Sequence, residues 1–158
     1  MAQERIYSIE RWFEFDAGHR VTKHAGKCCH LHGHRYKVGF ILEGKLNEQG
    51  FVMDFGYLKT LWGDWLNANL DHGLILESND SRLGNSILLV DRQAKIYYMP
   101  ESYGATAEDI ARHLFERLGN LVTGNCRLCR VEVYETPSCM GSYGNDRLAT
   151  NERSLEGA

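Results

Sequence analysis

The chain lacks the long apolar runs and the one-sided charge that mark membrane proteins and nucleic-acid binders. Its longest aliphatic run is Ile87-Leu88-Leu89-Val90, far shorter than the roughly 20 residues that a membrane-spanning helix needs. The 18 basic and 21 acidic residues give a formal net charge of -3, and the basic ones are scattered along the sequence. We therefore expect neither a membrane span nor a nucleic-acid-binding surface.

The cysteine count and the first residues both argue against a secreted protein. Five cysteines are an odd number, and thiols that cannot all pair are typical of the reducing cytoplasm. The segment Met1 to Arg5 lacks the apolar stretch of a secretory signal. We expect a cytoplasmic location and, at 158 residues, a single domain spanning 1–158.

Histidine, by contrast, is concentrated at the start of one strand pattern. His32 and His34 are two residues apart, so on a strand their side chains project from the same face. The same face continues with apolar side chains, namely Tyr36, Val38, Phe40 and Leu42. The pattern predicts a half-buried strand whose covered face begins with two imidazoles.

A third imidazole belongs to an earlier strand pattern. The run Trp12 to Arg20 places His19 on the same parity as three apolar residues, Phe13, Phe15 and Ala17. If the two strands pair, three histidines converge, and three imidazoles with an open fourth position are typical of catalytic zinc. A lone histidine is more often an ordinary polar residue, and His24 and His30 are interpreted in that way.

A reactive thiol is predicted beside this metal site. Cys28 stands next to Lys27 and just ahead of the histidines, and a nearby cation favours the thiolate, which accepts protons or attacks carbon. Cys29 is an alternative for the same role. The CxxC pair Cys126 and Cys129 is interpreted as two small core or edge residues, since no helix follows it.

A carboxylate is predicted on a covered sheet face. The last strand pattern, Cys129 to Glu135, puts Glu135 on the parity of Val131 and Val133. A carboxylate there requires hydrogen-bond donors, and the adjacent N–H groups of a pterin or guanine ring would match both its oxygens. A strand-end Glu135 that turns into solvent remains the alternative.

Two amphipathic helices are predicted between the strands. The first begins after its N-cap Asp54 and ends before Asp71, and the second begins after its N-cap Thr106 and ends at Gly119. The pair Asp71-His72 follows the first helix. Adjacent Asp and His can set the orientation and protonation of the imidazole, but the dipeptide alone specifies no function.

A hairpin is predicted in the interval between the helices. The apolar segments Ile87 to Val90 and Lys95 to Met99 flank Asp91-Arg92-Gln93-Ala94, which has the composition of a turn. We therefore expect a hairpin insertion around 78–104.

Taken together, these motifs resemble the 6-pyruvoyltetrahydropterin synthase family. The matching segments are Phe15-Asp16-Ala17-Gly18-His19-Arg20, Cys28 with His32-Gly33-His34, Asp54-Phe55, Leu70-Asp71-His72, Thr106-Ala107-Glu108 and Val133-Tyr134-Glu135-Thr136. The three residues between Cys28 and His32 resemble the 6-carboxytetrahydropterin synthase branch, the QueD proteins of queuosine and 7-deazaguanine biosynthesis. Animal pyruvoyl-forming enzymes have five residues there.

The resemblance implies a fold and an assembly. The fold is the α+β tunnelling fold (T-fold), with a four-stranded antiparallel sheet and two helices packed on one face. Three subunits close a barrel and two trimers stack into a homohexamer, with active sites at subunit interfaces.

The resemblance also implies the metal site and its substrate. Zinc (Zn2+) would be held by His19, His32 and His34, with Cys28 as the proton-transferring residue. The substrate would be 7,8-dihydroneopterin triphosphate, converted to 6-carboxy-5,6,7,8-tetrahydropterin with release of acetaldehyde and triphosphate.

Four further residues acquire roles from the resemblance. Asp71 and His72 would assist catalysis from a neighbouring subunit, Glu135 would hold the pterin ring, and Thr106 would lie near the same edge. One alternative is a pyruvoyl-forming synthase for biopterin-type products. Another is a non-catalytic zinc-stabilised module in which Cys28 or Cys29 fills the fourth metal position.

Overall fold

The computed structural model describes residues 5–145, which are built around one sheet in the strand order β4-β3-β1-β2-β5-β6. Strands β1 (Tyr7–His19) and β2 (His32–Gly44) pair antiparallel along their full length. On the other side of β2 lie β5 (Cys126–Thr136) and then β6 (Cys139–Gly144), both antiparallel to their neighbours. These four strands match the antiparallel sheet that the sequence predicts.

Two short strands enlarge the sheet to six. Strand β3 (Gly73–Leu76) runs parallel to β1, and β4 (Ile96–Tyr98) runs parallel to β3 at the sheet edge. The expectation of a four-stranded, purely antiparallel sheet is therefore wrong in number and in direction. Runs of four and three residues are too short to show a strand period.

The predicted hairpin around 78–104 is also wrong. Residues 87–90 form the end of helix α3 (Ser81–Val90), and β4 takes β3 as its partner instead. Two parallel strands cannot be joined by a tight turn and need a crossover, which α3 supplies. The aliphatic run at the end of α3 has no polar break from which its helical period could be read.

The first predicted helix is interrupted by a wider turn. Helix α1 (Phe55–Leu58) continues through a π-helical turn (Lys59–Gly63) into α2 (Asp64–Asn69). The Asp54 carboxylate accepts hydrogen bonds from two backbone N–H groups of α1, as predicted for an N-cap. A Cβ atom at Gly63 would lie 2.8 Å from the ring of Phe13, so close packing against β1 requires glycine.

Helix α4 (Ala107–Leu118) follows its predicted bounds, with Thr106 as N-cap and Gly119 after its end. It packs against β5 and β6, next to the first helical segment, which covers β2. The rings of Phe40 and Trp62 stack 4.3 Å apart, and Trp62 donates a hydrogen bond to the Leu118 carbonyl at 3.3 Å. Among residues 5–145, none of the helices combines the length and apolarity needed to cross a membrane.

We predict that Trp62→Ala lowers the free energy of unfolding by about 3–5 kcal/mol, because it empties a fully buried site between sheet and helices. Tyr57→Ala, on the exposed side of α1, is the matched control and should cost less than about 1 kcal/mol. Urea unfolding followed by circular dichroism measures both. Equal losses for the two variants would contradict the assignment of Trp62 to the core.

Candidate active site

The pairing of β1 with β2 brings three imidazoles together. His19 is opposite His32, and Ala17 is opposite His34, so all three rings lie on the covered face at one end of the two strands. One nitrogen from each of the three rings lies within 4.8 Å of the others. Strand parity, which was predicted from the sequence, and the antiparallel pairing of β1 with β2 together form this cluster.

Backbone carbonyls fix how two of the rings are protonated. Nδ1 of His19 donates to the Ala105 carbonyl and Nδ1 of His32 donates to the His30 carbonyl, each at 2.7 Å. In the neutral rings Nε2 is then the unprotonated nitrogen. Such carbonyl contacts commonly orient metal-ligating histidines.

The Nε2 atoms of the histidines lie close enough together to bind one cation. Those of His19 and His32 are 3.1 Å apart, close to the roughly 3.4 Å expected between two ligands of a tetrahedral zinc ion. Nε2 of His34 is buried and, within the described part of the chain, has no hydrogen-bond partner. A cation among the three would remove the repulsion between their lone pairs, so the residues fit a divalent metal.

Burial keeps these rings in the metal-binding form. His19 is 1% exposed. This burial lowers its pKa to about 4, although the hydrogen bond to the Ala105 carbonyl acts to raise it. Burial also lowers the pKa of His34, although the Glu135 charge opposes it. Both rings are therefore neutral near pH 7, as a metal ligand must be.

The cluster borders a cleft of about 450 Å³. His19, Cys28, Thr106 and Glu135 all line it, so one surface joins the metal cluster, the thiol, the helix cap and the strand-end carboxylate. Cys28 lies in a short 3-10 turn, Lys27–Cys29. Its neighbour Cys29 is not among the described residues that line the cleft.

The Cys28 sulfur stands apart from the metal cluster. Across residues 5–145, the group of mutually close metal-ligating atoms contains imidazole nitrogens only. This geometry disfavours a closed site of three histidines and one cysteine. Three imidazoles without a fourth protein ligand among residues 5–145 are typical of catalytic rather than structural zinc sites.

Glu135 points into the cleft beside the histidines. Its Oε1 lies 3.8 Å from Nε2 of His19. A bulge in the pairing of β5 with β6 falls between Tyr134 and Thr136, at Glu135 itself. Glu135 lines the cleft, and no hydrogen bond to its carboxylate is found within residues 5–145, so the oxygens can accept from a ligand.

Thr106 has a structural role that the sequence predicted. Its Oγ1 accepts a hydrogen bond from the Asp109 N–H at 3.3 Å, which caps α4. Its position in the cleft wall places it beside Glu108 and Gly141. A Cβ atom at Gly141 would lie 2.6 Å from the Glu108 backbone nitrogen, so β6 and the start of α4 are in close contact there.

Asp71 and His72 form a hydrogen-bonded pair outside this cleft. Nδ1 of His72 and Oδ2 of Asp71 are 2.7 Å apart, and Oδ1 of Asp71 accepts from the Asp16 N–H at 3.0 Å. Although partial burial opposes it, these hydrogen bonds hold the pKa of Asp71 below its usual range. The His72 side chain is 79% exposed and borders a shallow depression that also includes His34.

Some parts of the site were missed by sequence reasoning. The Ala105 carbonyl that orients His19 leaves no trace in the sequence, because any residue supplies a carbonyl. Ser138, in the turn before β6, and Cys139 and Met140, at the start of β6, also line the cleft. Glu108 also lines the cleft. Its position two residues after Thr106 is the sequence signal from which it could have been predicted.

Comparison with known sequences identifies a matching family. A sequence profile of the family described as 6-pyruvoyl tetrahydropterin synthase matches residues 8–146. The 6-carboxy-5,6,7,8-tetrahydropterin synthase of Rickettsia conorii is 43% identical over 134 residues, covering 82% of this chain and 94% of the relative. The protein of the same name from Haemophilus influenzae is 30% identical over 143 residues, covering 87% and 99%.

Solved structures share the fold at lower identity. A crystal structure of an uncharacterised protein from Wolinella succinogenes aligns with a TM-score of 0.74 at 23% identity, covering 90% of this chain and 99% of that one. The Caenorhabditis elegans 6-pyruvoyl tetrahydropterin synthase aligns with a TM-score of 0.66, also at 23% identity, covering 92% and 100%. At this identity the likeness concerns the fold.

We predict that His19→Ala, His32→Ala and His34→Ala each lower affinity for added Zn2+ by at least about tenfold, because each removes one of the three clustered imidazoles. His30→Ala is the control, since it retains the carbonyl that orients His32. Competition with a chromophoric chelator gives the affinities. Wild-type affinity in any of the three ligand variants would remove that residue from the metal site.

Proposed function

The chain belongs to the 6-pyruvoyl tetrahydropterin synthase family, and we propose that it is a zinc-dependent lyase of the 6-carboxytetrahydropterin synthase type. Its substrate is 7,8-dihydroneopterin triphosphate and its products are 6-carboxy-5,6,7,8-tetrahydropterin, acetaldehyde and triphosphate. The observation that carries the proposal is the cleft in which His19, Cys28 and Glu135 meet. The names of the relatives support the carboxy-forming branch.

In this proposal the metal is Zn2+ on His19, His32 and His34. Bound there, it supplies a Lewis acid that polarises oxygens of the substrate side chain and makes the adjacent C–H groups more acidic. Imidazole ligands carry no negative charge, so they would leave the ion its full charge, and His19 would hold it at the wall of the cleft.

Glu135 orients the substrate ring. Its carboxylate accepts hydrogen bonds from adjacent N–H groups of the pterin, a charge-assisted contact that is stronger than a neutral one. The 3.8 Å between this carboxylate and His19 keeps the ring next to the metal cluster. The three-carbon side chain of the substrate therefore reaches the cluster while the ring stays fixed.

Cys28 moves protons on that side chain. As the thiolate, its sulfur takes a proton from a side-chain carbon, and as the thiol it returns one to the neighbouring carbon. Loss of triphosphate accompanies this proton shift. A water molecule then adds to the side-chain carbonyl carbon next to the ring. Cleavage of the adjacent carbon–carbon bond releases the other two carbons as acetaldehyde, which takes up a proton, and leaves the carboxylate on the ring.

Asp71 and His72 exchange protons on the other side of the substrate. Asp71 stays ionised and keeps the proton of the His72 ring on Nδ1, which leaves Nε2 to accept or donate. In one subunit this pair lies outside the cleft that contains Cys28. We therefore include in the proposal a homohexamer whose active sites form at subunit interfaces.

We also propose where in the cell the protein acts and which pathway uses its product. All five cysteines carry free thiols, which supports a cytoplasmic location. The product would enter queuosine or 7-deazaguanine biosynthesis, the pathway of the QueD proteins that the sequence resembles.

We predict that the zinc-loaded protein converts dihydroneopterin triphosphate to carboxytetrahydropterin and acetaldehyde. Cys28→Ala should lower kcat by about 100-fold or more, because it removes the proton-transferring group. Cys29→Ala is the control and should keep wild-type turnover, because its side chain does not line the cleft. Chromatography of pterins and acetaldehyde measures both.

Two other results would change the assignment. A pyruvoyl product without acetaldehyde would place the chain in the pyruvoyl-forming branch. No substrate consumption by the zinc-loaded protein would support the non-catalytic zinc module instead.

We predict that inactive Cys28→Ala and His72→Ala subunits restore activity when they are unfolded, mixed and refolded together. If each site takes Cys28 from one subunit and His72 from its neighbour, random assembly leaves about a quarter of the sites intact. Each variant refolded alone is the control. A mixture that stays inactive would show that both residues act from the same subunit.

A further inference from the structure

The loop 20–31 connects two of the clustered histidines and holds the thiol. It begins directly after His19, ends directly before His32 and contains Cys28. Within it, the Val21 N–H donates to the Cys28 carbonyl at 2.9 Å. Val21 and Cys28 both line the cleft, so the position of Val21 sets where the Cys28 sulfur lies.

The two residues that flank Val21 are bound by buried carboxylates. The Arg20 guanidinium donates to both oxygens of Asp80, at 2.6 and 2.5 Å. Thr22 donates its N–H and its hydroxyl to the two oxygens of Glu77, at 3.0 and 2.5 Å. Each carboxylate thus uses both of its oxygens on the same short stretch of the loop.

These acids are buried in the fold. Asp80 is 5% exposed and Glu77 is 7% exposed, and burying a carboxylate is costly unless hydrogen bonds compensate. Both residues lie between β3 and α3, and β3 is hydrogen-bonded to β1 with Ile75 opposite His19. The acids therefore hold the loop against a frame that is fixed relative to the metal cluster.

We propose that Glu77 and Asp80 are positioning residues that set the place of the Cys28 sulfur in the cleft by fixing Arg20 and Thr22 on either side of Val21. The proposal rests on the proposed function, in which this sulfur transfers protons to and from the substrate. A displacement of about 1 Å in such a group can cost about 100-fold in rate. Neither acid touches the cleft, so both act through the loop.

The test is Asp80→Asn in the zinc-loaded protein. We expect kcat to fall by about 10- to 100-fold with KM changed less than about threefold, because ring binding by Glu135 is unaffected. Zinc content should equal that of wild type. The rate at which iodoacetamide modifies Cys28, located by peptide mass spectrometry, should change by at least about threefold, because the sulfur is displaced.

Glu43→Gln is the matched control. Glu43 lies at the end of β2 away from the histidines, and its carboxylate is only 3% exposed. It accepts a hydrogen bond from Arg127 at 3.0 Å. It should lose stability as Asp80→Asn does but keep wild-type kcat and Cys28 labelling. This separates positioning from the general cost of breaking a buried Arg–carboxylate contact.

A second pair of variants tests the other anchor. Thr22→Val removes the hydroxyl that donates to Glu77 and should reproduce the kcat and labelling changes, whereas Thr22→Ser keeps the hydroxyl and should restore wild-type values. These variants also decide the question if Asp80→Asn does not fold. Wild-type kcat and labelling in Thr22→Val, or a kcat loss that only follows zinc loss, would overturn the proposal.

The labelling readout separates this proposal from the proposed function. If the wild-type protein does not convert the pterin substrate, the proposed function fails while Cys28 labelling still reports the loop position. If wild type is active and labelling is unchanged in the anchor variants, the positioning proposal alone fails.

Discussion

The register between β1 and β2 is the constraint on which the site depends. The two strands pair over 13 residues each, from Tyr7 opposite Gly44 to His19 opposite His32. A slip of one residue would move every side chain to the other face, separating the imidazoles and exposing Tyr36. The buried aromatic and aliphatic residues along β2 oppose such a slip, so the hydrophobic core and the metal site are fixed by the same pairing.

The same parity rule explains what could be predicted from the sequence. His32, His34 and Tyr36 share a face because of local spacing, and the caps Asp54 and Thr106 are read from a few neighbouring residues. Contacts between distant segments could not be predicted in this way. The Ala105 carbonyl at His19 is 86 positions away in sequence, and the loop anchors Glu77 and Asp80 are 55 and 60 positions away from Thr22 and Arg20.

The segment of residues 77–105, which includes the interval around 78–104 where a hairpin insertion was predicted, supports the site from several directions. Its start anchors the loop 20–31, and its end supplies the Ala105 carbonyl. Between them, Lys95 donates to the carbonyls of Asn67 and Asp71 at 2.9 and 2.7 Å, which fixes the turn before His72. The segment is therefore in contact with the thiol loop, the histidine cluster and the Asp71–His72 pair, so substitutions within it should affect all three.

The bulge at Glu135 shows how a regular sheet can present a carboxylate to a ligand. Tyr134 is opposite Met140 and Thr136 is opposite Cys139, so Glu135 is the extra residue and its backbone is freed from that ladder. Bulges bend a strand and re-aim side chains at sheet edges and near active sites. Nε2 of His19 lies 3.8 Å from the Glu135 carboxylate. Because the His19 ring is neutral, it does not form an ion pair with the carboxylate, which can accept hydrogen bonds from N–H donors. Burial thus keeps His19 and His34 neutral, the form that binds a metal, and in the proposed function it leaves the Glu135 carboxylate available to the N–H donors of the ring.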